Sequence, residues 1–168
     1  MGDRLKDKIA IIVGAGQSPG PTPAIGNGRA AAMLFAREGA KVLAVDRHLD
    51  AAQETVDLIL GEGGEAVAYS ANVTIEADMK GMVTACTEQW GRIDVLHNNV
   101  GILEVGGCVE ASEESWDTIL GVNVKSYAFG AKAAIPKLRE AESGNIVNIA
   151  SNNAFIAGIN TPQYDTTK

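Results

Sequence analysis

A chain of 168 residues, 46% hydrophobic and 21% charged, has the composition of a folded domain with a hydrophobic core, which excludes the disordered class. Its net charge of −7 comes without the clustered Lys and Arg needed to neutralise phosphates, so no nucleic acid partner is expected. No segment reaches the apolar length of a membrane span, and the charged stretch Met1 to Lys8 lacks a signal-peptide core, so no membrane partner and a cytoplasmic location are expected.

In chain order, Ile9–Val13 is a continuous apolar run ending at Gly14, the pattern of a strand buried on both faces. Gly28, Arg29 and Ala30 lead into an Ala-rich helix carrying Met33, Leu34 and Phe35, which Glu38 and Gly39 stop. Lys41–Asp46 is a second buried strand. Ala52, Val56, Ile59 and Leu60 recur at helical spacing, Gly61 to Gly64 end that helix, and Ala66–Tyr69 forms a third strand. A third helix sets Met79, Met82, Val83, Cys86 and Trp90 on one core-facing side. The pattern then predicts a fourth strand at Ile93–Leu96, a long helix from about Ser112 to Leu138, and a fifth strand at Asn145–Ala150. Ser18–Pro23 holds three prolines in six residues and is read as a loop. This alternation predicts an α/β fold in one domain over residues 1–168, a doubly wound parallel sheet with helices on both faces.

In such Rossmann-type sheets the first strand-to-helix turn holds phosphates, because backbone N–H groups and the positive end of the helix dipole meet there. Gly14, Gly16, Gly26 and Gly28 lie in that turn. A flexible surface loop also collects glycines, so Asp46 at the end of the second strand matters more. A carboxylate there accepts both hydroxyls of an adenosine ribose and repels a 2′-phosphate. The predicted cofactor is NAD. Arg47 is the residue that would pair with a 2′-phosphate, and it keeps NADP as the alternative. Cys86 and Cys108 show no CxxC spacing and no nearby pair of histidines, so both are expected to be buried thiols and no metal is expected. His48 and His97 are expected to be structural or solvent-facing.

From Lys8 to Lys168 the chain resembles the short-chain dehydrogenase/reductase family. The family's G-x-x-x-G-x-G turn is matched by Gly14, Gly26 and Gly28, followed by Arg29 and Ala30. Its N-N-A-G element, which supports the sheet and lines the cofactor site, is matched by Asn98, Asn99, Val100 and Gly101. Its adenine-contacting D-V pair is Asn72 and Val73 here, with the charge lost and a hydrogen-bonding side chain kept. The family's catalytic set follows in order as Asn123, Ser151, Tyr164 and Lys168, with serine thirteen residues before tyrosine.

The resemblance implies an oxidoreductase that interconverts a secondary alcohol and a ketone by hydride transfer. Tyr164 and Lys168 are four apart and share a helix face. A tyrosine hydroxyl with a pKa near 10 is a poor base at neutral pH, and an adjacent ammonium favours the phenolate. Lys168 would supply that charge and hold the nicotinamide ribose. Ser151 would hydrogen-bond the substrate oxygen, and Asn123 would hold a water linking the lysine to solvent. Taken singly, these residues read as a turn former, a packing amide, a half-buried aromatic and a surface charge; their joint order carries the assignment. Family members assemble as dimers or tetramers, so a homo-oligomer acting on a small alcohol or ketone is implied.

The sequence departs from the family pattern in two places. Eleven residues separate Gly14 from Gly26 where the pattern has three, so residues 18–25 form an insertion. It is either a cover over the adenosine side of the cofactor or a passive surface loop, and Gln17 or Asn27 would replace the usual contacts of the turn. Family members also continue past Tyr-x-x-x-Lys with two more strands and a substrate-binding segment. Five of seven strands are present, so the sequence is expected to be incomplete at its C-terminal side, with substrate choice encoded beyond Lys168. The remaining alternatives are an NADP-dependent reductase of 3-oxoacyl thioesters or other ketones, and a non-catalytic dinucleotide-binding fragment.

Overall fold

The computed structural model describes residues 2–17, 24–141 and 143–168; the proline-rich segment Ser18–Pro23 lies outside the described residues. The strands are β1 (Ile9–Val13), β2 (Lys41–Asp46), β3 (Glu65–Ser70), β4 (Val95–Asn98) and β5 (Asn145–Asn148). All pair in parallel, in the order β3-β2-β1-β4-β5. Ile11 at the centre sits opposite Leu43 on one side and Leu96 on the other. The strand order reverses its direction of growth between β1 and β4, and in open α/β sheets ligands bind at that switch point, beyond the carboxyl ends of the strands.

The helices cover both faces, as the alternation predicts. Helices α1 (Asn27–Arg37) and α2 (Leu49–Gly61) bury Ala32, Met33, Ala36, Val56 and Ile59 against Ala10, Ile12, Val42 and Ala44. On the other face, α3 (Glu76–Trp90) packs Met79, Met82, Val83 and Cys86 against Ile11, Val13 and Leu43. The long helix begins at Ser112, whose Oγ accepts a hydrogen bond from Ser115 N at 3.1 Å. It runs as α4 (Glu113–Leu120), a π turn over Gly121–Lys125, and α5 (Ser126–Leu138). The extra residue per turn in a π segment re-aims the side chains around it. Asn123 lies in that segment. A short helix, α6 (Pro162–Thr167), closes the sequence of elements.

Several expected boundaries shift for local reasons. The fourth strand starts at Val95 rather than Ile93, because Asp94 turns a buried carboxylate onto Ile9 N at 2.8 Å and Arg92 Nε at 3.1 Å. The fifth ends at Asn148, after which Ile149 and Ala150 line a cavity. Leu60 is half exposed, because the buried stripe of α2 runs through Ala52, Thr55, Val56 and Ile59. Cys86 is buried as expected, and burial with Asp94 nearby pushes its thiol up to about 12. Cys108 is instead exposed on the loop after β4. His97 is buried on β4, with Phe35 edge-on at 5.7 Å, and His48 is exposed ahead of α2. Among the described residues, no helix is long and apolar enough to cross a membrane.

Candidate active site

The glycine turn is built on close approach. Gly14 has φ +80°, a left-handed conformation that glycine adopts without strain, and a β-carbon there would meet Val100 backbone at 3.1 Å. A β-carbon on Gly28 would lie 1.8 Å from the Gly14 carbonyl oxygen and 2.7 Å from Asn99 Nδ2. Asn99 donates from that nitrogen to Gly14 O at 3.2 Å, so the amide just after β4 braces the turn after β1. Helix α1 starts after Gly26, with no side-chain cap and no acidic residue in its first turn. The positive end of its dipole therefore faces the cavity uncompensated by a carboxylate of its own. Gln17 lines the cavity as well, and its amide ties the ends of the insertion, accepting from Gly26 N at 2.6 Å and donating to Ala24 O at 3.0 Å.

Asp46 closes the turn from the side of β2. One carboxylate oxygen accepts from Gly16 N at 3.0 Å and the other from His48 N at 3.1 Å. A cavity of about 600 Å³ runs from this turn, past Asn27 and Asn99, to Ser151, Tyr164 and Lys168. A smaller one of about 200 Å³ adjoins it at Asp46 and is lined by Arg47, Asn72 and Val73. Asn72 Oδ1 accepts from Thr74 N at 3.1 Å and from its hydroxyl at 2.9 Å, which holds this side chain at the rim. Arg47 is exposed, with Nη2 3.3 Å from His48 Nε2.

At the other end, the loop after β5 and the start of α6 are bound together by a residue that the sequence reading does not single out. The Asp165 carboxylate accepts from Asn153 Nδ2 at 2.6 Å, Gly158 N at 2.8 Å and Thr161 Oγ1 at 2.9 Å. These bonds, led by the one from Asn153, hold its carboxyl below the usual carboxylate range. Asn153 in turn donates its backbone N–H to Ser151 Oγ at 3.2 Å, so the serine hydroxyl and the tyrosine helix share one frame. The signal available in sequence is an acid inside Tyr-x-x-x-Lys, in the first turn of a helix where a carboxylate is favoured.

Asn123 is 1% exposed. Its Oδ1 accepts from Ile102 N at 2.8 Å, and its Nδ2 donates to Ile102 O at 3.0 Å and Thr167 Oγ1 at 2.9 Å. Both ends of the amide are thus engaged by the protein. Lys168 Nζ meets Tyr127 Oη at 2.7 Å, Ile149 O at 3.0 Å and Val100 O at 3.3 Å. Burial pushes the Lys168 pKa down. Burial, and secondarily Tyr164 nearby, pushes the Tyr127 hydroxyl up to about 12.

Residues 8–168 match the family model described as short chain dehydrogenase. The chain belongs to the short-chain dehydrogenase family. Among curated members, a 2,5-dichloro-2,5-cyclohexadiene-1,4-diol dehydrogenase of Sphingobium indicum is 35% identical over 168 residues, covering all of this chain and 64% of the relative. A cyclohexanol dehydrogenase of Acinetobacter sp. is 34% identical over 169 residues, again covering all of this chain and 64% of the relative. The chain therefore spans 64% of the length of these short-chain dehydrogenases. A short chain dehydrogenase structure from Mycobacterium smegmatis superposes with a TM-score of 0.90 at 30% identity, covering 99% of this chain and 67% of that one.

Short-chain dehydrogenases bind NAD(P), and the residues present fit such a group. The cradle at Gly28 is closed to any side chain, the α1 start carries no acid, and a carboxylate stands at the end of β2 beside the second cavity. Glycine turn, α1 N–H groups and Asp46 are the groups that would hold the phosphates and a ribose.

Proposed function

We propose that the chain forms the dinucleotide-binding domain of an NAD-dependent oxidoreductase that interconverts a secondary alcohol and a ketone. The observation that carries this reading is a single cavity lined at one end by the glycine turn and Asp46, and at the other by Ser151, Tyr164 and Lys168. A bound nicotinamide dinucleotide supplies the hydride donor or acceptor. The chain's own residues supply orientation and proton transfer. Tyr164 is the acid/base that exchanges a proton with the substrate oxygen, and Ser151 Oγ donates a hydrogen bond to that oxygen as its charge develops. Lys168 brings a positive charge to the same cavity, and Asn123 acts by fixing the Ile102 backbone and α6 around it.

NAD is favoured over NADP because a carboxylate at the end of β2, Asp46, would accept the ribose hydroxyls and repel a 2′-phosphate. Arg47, lining the smaller cavity beside Asp46, supports the second reading, an NADP-dependent reductase of ketones or 3-oxoacyl thioesters. Asn72 and Val73 are assigned to the adenine side, with Gly26, Asn27 and Gly28 at the phosphates. The relatives named for cyclic alcohols favour an alcohol or ketone substrate. Assembly as a cytoplasmic homo-oligomer belongs to the same reading. Leu120, Val124 and Ile135 of the long helix, each between 37% and 43% exposed, offer apolar contact area for it.

Tyr164→Phe in the full-length protein tests the assignment. Turnover of secondary alcohols falls by roughly 10²–10⁴-fold while NAD affinity stays within about twofold. Turnover retained at the level of the unsubstituted protein removes Tyr164 from the mechanism.

A further inference from the structure

We propose that Tyr127 is the positioning residue for Lys168, its hydroxyl holding the lysine ammonium between the main cavity and the ends of β4 and β5. A lysine ammonium has three N–H donors and no acceptor. Here the three meet Tyr127 Oη, Ile149 O and Val100 O. Tyr127 Oη itself lies 3.0 Å from Val100 O and 3.1 Å from Ile149 O, so its hydrogen goes to one of these carbonyls and its lone pairs face the ammonium. The side chain comes from α5, four residues beyond Asn123 and just past the π turn. With the Asn123 amide engaged by Ile102 and Thr167, the side chain of the long helix that reaches the Lys168 ammonium is Tyr127.

Tyr164 of α6 lines the same cavity as Lys168 and lies close enough to raise Tyr127. With its pKa at about 12, Tyr127 stays protonated across the physiological range and remains a neutral partner able to accept from the ammonium while donating to a carbonyl. The ring offers the cation little more, since its centroid is 5.0 Å away and the hydroxyl is far nearer. A third cavity, of about 210 Å³ beside Asn123, Tyr127 and Thr167, also reaches Lys168. The ammonium is thus bound and yet accessible to a small reagent.

Acylation of Lys168 by acetic anhydride across pH, read by peptide mass spectrometry in the full-length protein, measures this without any turnover. Tyr127→Phe keeps the ring and removes the acceptor. The expected result is a Lys168 titration lowered by about one pKa unit, which is a roughly tenfold faster acylation at a fixed pH below the midpoint. A profile that coincides with the unsubstituted protein, or lies above it, overturns the proposal. If Tyr127→Phe does not fold, 4-aminophenylalanine at position 127 keeps the size and a donor but is a poor acceptor; the same downward shift supports the proposal and coincidence overturns it. A kinetic arm rests on the oxidoreductase reading: the limb of the kcat profile that reports the lysine moves by the same amount. A protein without turnover in either form overturns the oxidoreductase reading alone, because acylation decides Tyr127 independently.

Discussion

The carboxylate of Asp46 accepts the backbone N–H of Gly16 at 3.0 Å, so the acid that ends β2 also shapes the glycine turn after β1. A β-carbon on Gly16 would stand 2.7 Å from that carboxylate. Asp46→Asn keeps an acceptor for Gly16 and removes the charge. On the proposed reading, the ratio of NAD to NADP affinity falls by about tenfold, the scale of one charge-assisted hydrogen bond. Fluorescence titration with both cofactors measures it, and an unchanged ratio removes Asp46 as the discriminator.

Gly28→Ala forces a methyl group to within 1.8 Å of the Gly14 carbonyl oxygen. That oxygen belongs to the backbone and is braced by Asn99, so it cannot swing aside. The expected cost is about 1–3 kcal/mol or more of stability, with loss of dinucleotide binding. Urea denaturation and a binding titration on the same sample check both.

Asn123→Ala removes the partner of Ile102 N, Ile102 O and Thr167 Oγ1 at a buried position. Leaving a buried polar group unpaired costs about 1–3 kcal/mol, so a denaturation midpoint lowered to that extent is expected. Hydrogen exchange of the Ile102 amide should rise in the same variant. An unchanged midpoint and exchange rate would show that the clamp contributes nothing.

Glu76 bridges Lys80 on its own helix and Lys132 on α5, each at 2.9 Å. The two hydrogen bonds, from Lys80 and then Lys132, lower its pKa from 4.5 to about 2. A carboxyl depressed in the folded state contributes stability that is fully present above its unfolded pKa and lost as pH falls through the folded one. The difference in melting temperature between the unsubstituted chain and Glu76→Gln is therefore expected at neutral pH and to disappear between about pH 4.5 and 2. High salt should shrink it at neutral pH, because both lysines are largely exposed.

What the sequence determines by itself is the part of the molecule that depends on near neighbours. The apolar runs of β1 and β2 end at Val13 and Asp46 in both sequence and structure, because a strand buried on both faces declares itself residue by residue. The glycines after β1 and the acid after β2 are legible for the same reason, as is the stripe Met79, Met82, Val83 and Cys86. Tertiary structure alone decides the partners of the polar side chains. Asp94 finds Ile9 across 85 residues and delays β4; Asn123 finds Ile102 and Thr167; Lys168 finds Tyr127 across 41 residues. Asp165 finds Asn153 only once the loop after β5 folds back. Hydrophobic periodicity carries no information about these pairings, since buried polar groups take whatever donors and acceptors the crossover connections bring within 3 Å.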